Sequence, residues 1–274
     1  MTVTETHQLV DKWKSCSIES PPFIFPGDEV LLDGSLRKRV SFFSTFQDYI
    51  GSKTFGLPTD QTLHLGLLPV PYVGNLQRAS VFILMLNPGF SPGDYYAEQY
   101  SAEYREVLER NLRQENGSDR YPFFALDPRF AWHPGFQYWH RRLQGLARAL
   151  ALKDDIDYQD ALAVLAKHIA CLEYVPYHSK SFGLPTSVQT KLASVRSMTE
   201  YVHEYLVPRA RIGQATIIVT RSSKAWGMPQ HENIVVYEGG ETRFASLSLN
   251  SRGGSAIAAT LGLNNSDRIS GKAS

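Results

Sequence analysis

Apolar side chains gather in four short runs along the chain: Val81–Leu86, His168–Leu172, Thr216–Thr220 and Phe244–Leu249. Each is rich in β-branched, aromatic or aliphatic residues and is bounded by turn or polar residues, the pattern of a buried strand. Between and around them lie amphipathic stretches with helical spacing: Ala102–Arg113, Phe136–Leu152, Tyr158–Lys167, Ser187–Leu206 and the apolar Ala256–Leu263. Strands alternating with helices predict βαβ units with right-handed crossovers. The expected architecture is an α/β fold, a three-layer α/β/α arrangement around a central four-stranded parallel sheet.

The pattern also suggests an organisation. Residues 1–64 read as an N-terminal extension wrapping the core, beginning with a short helix or loose arm that ends at Pro21-Pro22. Residues 65–263 hold the α/β domain, and the polar tail 264–274 is expected to be flexible. The chain contains no internal repeat and no long low-complexity segment.

Composition narrows the possible functions. The 274 residues carry a net charge of +1, so a nucleic-acid partner would have to be held by local basic patches. Arg37-Lys38-Arg39, Arg141-Arg142 and Arg252 are the candidates. Two cysteines, Cys16 and Cys171, exclude a four-cysteine iron–sulfur cluster within one chain and make a disulfide framework unexpected. No apolar run approaches the ~20 residues needed to span a bilayer. A cytoplasmic monomer without membrane contact, metal or cofactor is the expectation. Phosphate-binding loops, dinucleotide fingerprints, nucleophile elbows and zinc-ligand spacings are all absent from the sequence.

In a parallel α/β sheet ligands bind beyond the carboxyl ends of the strands, so the residues after each run are the informative ones. Asn87-Pro88-Gly89-Phe90 follows the first run, and the tight turn is either an ordinary strand exit or a loop whose backbone approaches a ligand. Asp94 lies just beyond, either a catalytic carboxylate or a loop cap. Glu173-Tyr174 follows the second run, and a carboxylate there must be paired, turned to solvent or functional. After the third run, Arg221-Ser222-Ser223-Lys224-Ala225-Trp226-Gly227 is placed to open a helix with a serine as its N-cap, a stretch that reads as mainly structural. Asn250-Ser251-Arg252 leads into the last helix, where free N–H groups and a guanidinium suit phosphate as well as an ordinary connection does. Tyr121-Pro122-Phe123-Phe124 and the stretch from His133 to Arg142 are aromatic-dense, either core or a stacking platform.

Taken in order, these segments resemble the uracil-DNA glycosylase superfamily, and most closely its mismatch-specific uracil and thymine branch. Asn87-Pro88-Gly89, His133-Pro134 with Tyr138-Trp139, and Asn250-Ser251 stand where that branch has its motifs, over roughly residues 65–263. The resemblance implies a base-flipping DNA glycosylase that hydrolyses the N-glycosidic bond and leaves an abasic site. It gives Asn87 the water that attacks C1′, with Asp94 a possible substitute. It gives Pro88, Gly89, Phe90, Phe123, Phe124, Glu173 and Tyr174 the extruded base, and Asn250, Ser251, Arg252 and Lys224 the DNA. The chain departs from the family in lacking its last-strand histidine, and in a long segment, Phe90–Arg120, that carries four tyrosines.

One departure sharpens the expected substrate. Glu173 sits where many family members read the base with an Asn. A carboxylate only accepts hydrogen bonds, so it favours an exocyclic amino group over the carbonyls of uracil or thymine. A modified cytosine, such as phage DNAs carry, is the expected target. The alternatives are a mismatch repair glycosylase and a catalytically silent DNA-binding module.

Overall fold

A computed structural model describes residues 4–263 of the chain, so the tail 264–274 lies outside the described residues. The helices in chain order are α1 (Thr4–Lys14), α2 (Phe46–Ile50), α3 (Pro92–Tyr100), α4 (Ala102–Leu112), α5 (Pro134–Asp154), α6 (Tyr158–His168), α7 (Thr186–Gln189), α8 (Ala193–Tyr201), α9 (Val207–Arg211), α10 (Ser223–Trp226) and α11 (Arg252–Thr260). The strands are β1 (Val40–Ser41), β2 (Leu63–His64), β3 (Tyr72–Val73), β4 (Val81–Met85), β5 (Ile169–Glu173), β6 (Thr216–Val219) and β7 (Ile234–Val236). The chain folds as two compact units. One comprises the residues up to Tyr72 with Leu86–Glu115 and Glu173–Val202, the other Val73–Met85, Asn116–Leu172 and the residues from His203 onward.

The second unit is built on the main sheet, ordered β3-β5-β4-β6-β7. Strand β4 pairs in parallel with β6, from Val81 opposite Thr216 to Leu84 opposite Val219, and β6 in parallel with β7. Val81, Phe82, Ile83 and Leu84 are all fully buried. Consecutive residues of a strand face opposite ways, so both faces of β4 are covered, which is why its sequence shows an unbroken apolar run instead of alternation. Helices α9 and α11 pack on β6, and α5 packs on α6 and α11.

Three of the predicted strands form where the pattern puts them, but the sheet has five strands, not four, and the fourth run is not among them. Residues Gly239–Phe244 form a 3₁₀ turn, and the segment after it is irregular. Serines within and just after this run are the reason. Ser246 Oγ accepts the Ser248 N–H at 3.1 Å, and Ser251 Oγ reaches the carbonyls of Ser246 and Ser248 at 2.7 Å each. Such local bonds offer the backbone an alternative to a ladder. Ile234–Val236 takes the place beside β6 instead.

The first unit holds the two-stranded parallel pair β1–β2, helices α1 to α4, α7 and α8. The predicted helix Ser187–Leu206 is broken here into α7 and α8, followed by a π turn at Val202–Leu206. Asp28 accounts for the break. Its buried carboxylate accepts the backbone N–H of Ser194 at 3.1 Å and its hydroxyl at 2.5 Å, starting a new helix on an anion at its N-terminus. Tyr177 Oη donates to the same carboxylate at 2.7 Å. Cys16 is buried nearby, where burial and the Asp28 charge raise its pKa to about 11. Cys171 is buried in β5.

Gly254, in the first turn of α11, makes the closest backbone approach of the second unit's turn region. A methyl group there would overlap the Ser248 carbonyl. Gly254→Ala is therefore expected to cost about 1–3 kcal/mol, and a thermal melt should show the transition several degrees lower.

Candidate functional site

The candidate site is the Asn87 loop of the first unit. Past the end of β4 the chain runs alongside the segment that follows β5. Val175 N–H donates to Leu86 O at 2.8 Å, and Ser179 N–H to Pro88 O at 3.2 Å. These bonds hold Asn87 half-buried and clamp its amide. Its Nδ2 donates toward Pro88 O at 2.8 Å, Ser179 Oγ at 2.9 Å and Tyr177 O at 3.1 Å. With the amide nitrogen committed to three acceptors, the orientation of the group is fixed and Oδ1 is the atom left to accept a bond from a ligand or water. Tyr177, which supplies one of the acceptors, is itself anchored by Asp28 through its hydroxyl.

His178 closes the other side of the loop. Its Nδ1 lies 2.8 Å from Gly89 O. A carbonyl only accepts, so Nδ1 carries the proton and, in the neutral ring, Nε2 is the acceptor. Behind the loop sits a second histidine. His64 Nδ1 lies 3.1 Å from Ser41 Oγ and 3.3 Å from Tyr95 Oη, and its Nε2 is 3.6 Å from the Asp60 carboxylate. The Phe90 ring stacks on the imidazole at 3.7 Å with 14° between planes. Tyr49 and Tyr95 stack on each other and meet Phe90 edge-on, completing an aromatic wall. His64, Asp60 and His178 were not singled out in the sequence. His64 and Asp60 lie in a Pro- and Gly-rich stretch without periodicity, and only the fold brings them under the loop.

Several expected site residues take other parts. Phe123 is fully buried against Trp139 in the second unit, with ring centroids 5.1 Å apart, so it is core and not an accessible stacking surface. Phe124 and Tyr174 are buried as well. Phe90 has one face covered by His64. Asp94 caps α3: its Oδ2 accepts the Ser91 N–H at 2.6 Å in a reciprocal capping box, so the capping alternative describes it. Pro88 is buried, Gly89 is exposed, and nothing lies within 4 Å of where a Gly89 side chain would start. Glu173, the last residue of β5, is buried, and its N–H donates to Pro71 O at 2.9 Å.

The expected DNA-contacting residues lie in the second unit. Ser251 caps α11, accepting Gly254 N–H at 3.0 Å. Arg252 is exposed and paired with the exposed Glu241 at 3.1 Å, and Asn250 and Lys224 are exposed. The expected serine cap of α10 is not made: Ser222, which stands at its N-cap, has φ +54 and makes no side-chain bond into the helix. In the Phe90–Arg120 segment Tyr95 and Tyr104 turn into the core, whereas Tyr96 and Tyr100 are about half exposed. Among the basic patches, Arg37 lies over the Phe42 ring at 3.8 Å and Arg39 donates to Gly183 O at 2.9 Å. Among the described residues no cluster of His, Cys, Asp or Glu could hold a metal ion, and no helix is long and apolar enough to cross a membrane.

No protein-family model, curated protein or solved structure matches this chain.

The buried His64 gives the site a pH dependence. Burial, the largest influence, opposes its charging and outweighs the attraction of Asp60, lowering its pKa to about 4. An unfolded histidine titrates near 6.5, so as pH falls below that value the unfolded chain takes up a proton that the folded one refuses. Stability present above pH 6.5 is therefore expected to decline as pH falls toward 4. Thermal melts across this range should show a steeper loss in the wild type than in His64→Gln, whose side chain cannot charge. Parallel curves would refute this account.

Proposed function

We propose that this protein is a monofunctional DNA glycosylase, a three-layer α/β/α enzyme of the uracil-DNA glycosylase kind, with Asn87 as the residue that holds the attacking water. The observation that carries the reading is the clamped amide of Asn87. A neutral side chain contributes to hydrolysis by placing water, and its effectiveness depends on how little it can move. Three acceptors around Nδ2 fix the amide and leave Oδ1 as its acceptor, in a loop whose Gly89 is exposed.

The reaction follows from that placement. The target nucleotide is extruded from the stack at a cost of a few kcal/mol. Water held on Asn87 Oδ1 forms a bond to C1′ as the C1′–N bond breaks, and the electron pair leaves with the base. The water oxygen sheds one proton as it becomes the C1′ hydroxyl, and the departed base anion takes one up, so the step is a net hydrolysis. Such a cleavage asks for fixed dipoles and an oriented water more than for a strong base. We assign the extruded base to a cytosine bearing a substituent, because Glu173 closes β5 as a buried carboxylate and accepts from an exocyclic amino group. Phe90, stiffened by its stack on His64, is a wall of the loop and not a free platform.

Oligonucleotides carrying uracil, mismatched thymine, cytosine and 5-substituted cytosines, together with phage genomic DNA, test both assignments when incubation is followed by alkaline cleavage of abasic sites. Strand breaks at substituted cytosines are expected, reduced about 100-fold or more in Asn87→Ala. Undiminished breaks in that variant would refute the assigned centre. Salt-dependent DNA binding without abasic product would identify a silent DNA-binding module. Glu173→Gln is expected to shift cleavage from substituted cytosine toward uracil. Equal action of wild type and variant on uracil, with none on cytosines, would remove the cytosine assignment while leaving the glycosylase one.

A further inference from the structure

A second feature lies wholly within the second unit, at the carboxyl ends of β4 and β6. Met85 closes β4, Thr220 and Arg221 follow β6, and with Tyr138, Trp139 and Arg142 of α5 they line a solvent-open recess. The recess as a whole has room for about one water-sized group, about 10 Å³. Thr220 cannot supply the polarity there, because its hydroxyl is turned to Leu84 O at 3.2 Å.

The two arginines dominate the recess, and both are held in place. The Arg142 guanidinium lies 3.5 Å over the Tyr138 ring and donates to Tyr138 O at 3.2 Å, and Arg221 donates to Thr242 O. Neither makes an ion pair among the described residues, unlike Arg105, Arg120, Arg129 and Arg252, each of which has a carboxylate partner. Burial is the largest influence on Arg142 and disfavours its charged form; Tyr138 opposes this, and the neighbouring Arg221 and Arg141 charges add to it. Two partly buried guanidiniums facing one recess, with no ion-pair partner among the described residues, form an arrangement that an anion stabilises. Their planar forks match the oxygens of a tetrahedral oxyanion better than a point charge would.

We propose that this recess is an anion site that takes a phosphate group between Arg142 and Arg221, with one oxygen seated in the recess and the others at its mouth on the two guanidiniums. The site does not depend on the reaction assigned to Asn87 and would stand if that assignment failed. Two sources offer this chemistry, a free phosphate or phosphomonoester and a backbone phosphodiester.

The full-length chain is titrated with inorganic phosphate, against chloride at matched ionic strength, and with a single-stranded 12-mer oligonucleotide. Binding is followed by calorimetry and by the shift of the thermal transition. Saturable phosphate binding is expected in the wild type, weakened about tenfold or more in Arg142→Gln and in Arg221→Gln. Phosphate binding lost in these variants identifies a free anion. Oligonucleotide binding weakened to the same degree, with inorganic phosphate too weak to saturate, identifies the backbone phosphodiester. Arg142→Lys and Arg221→Lys keep the charge and guard against misfolding, and are expected to bind more weakly than wild type but to melt normally in chloride. Phosphate no more stabilising than chloride, together with oligonucleotide binding unchanged in all four variants, would overturn the proposal.

Discussion

The primary amide of Asn87 has two hydrogens to give, and three oxygens of the first unit converge to take them. Two of those oxygens come from Tyr177 and Ser179, in the segment after β5, so the geometry of the loop depends on how that segment is anchored. The anchor is the buried carboxylate of Asp28, which binds the Tyr177 hydroxyl and also starts α8 at Ser194. A buried carboxylate is tolerated only where donors surround it, and here the donors are the parts of the chain it must hold together. An N-terminal stretch that looks like a wrap thus supplies the charge on which the loop rests.

The same economy appears behind the loop. His64 is kept neutral by burial; its Nδ1 is held between Ser41 and Tyr95, its Nε2 faces Asp60 at 3.6 Å, and its ring face supports Phe90. Aromatic edges from Tyr49 and Tyr95 restrict the same ring. The loop is rigid from two sides, by hydrogen bonds at Asn87 and His178 and by stacking at Phe90. Rigidity of this kind is what a neutral water-holding group requires and what a mobile recognition loop would lack.

Much of the second unit could be read from the chain, and the reasons are local. Strands β4, β5 and β6 are apolar because both their faces are covered, and α5 and α6 announce themselves by helical spacing. The failures are equally physical. Phe244–Leu249 has strand composition, but its serines bond their own backbone. Ile234–Val236 is too short to stand out. The break between α7 and α8 is caused by Asp28, far away in sequence, and no local pattern encodes it. At the site, Asn87 and its turn were visible because Pro and Gly punctuate them. His64, Asp60, Ser179 and the clamp on the amide were not, since their meaning arises only from contacts between distant segments. Phe123 stood open to two readings for the opposite reason, because an aromatic pair before a helix looks alike whether it stacks on a ligand or on Trp139.

The two cysteines have a practical consequence. Cys16 and Cys171 are both buried, and the Cys16 thiol is held protonated far above neutral pH. Thiolate is the nucleophile in alkylation, so the folded chain presents almost no reactive sulfur. A single cysteine placed at the half-exposed position of Trp132 would therefore be the site that a maleimide dye finds first. The native chain is in this sense already prepared for site-specific labelling, with no need to remove either of its own thiols.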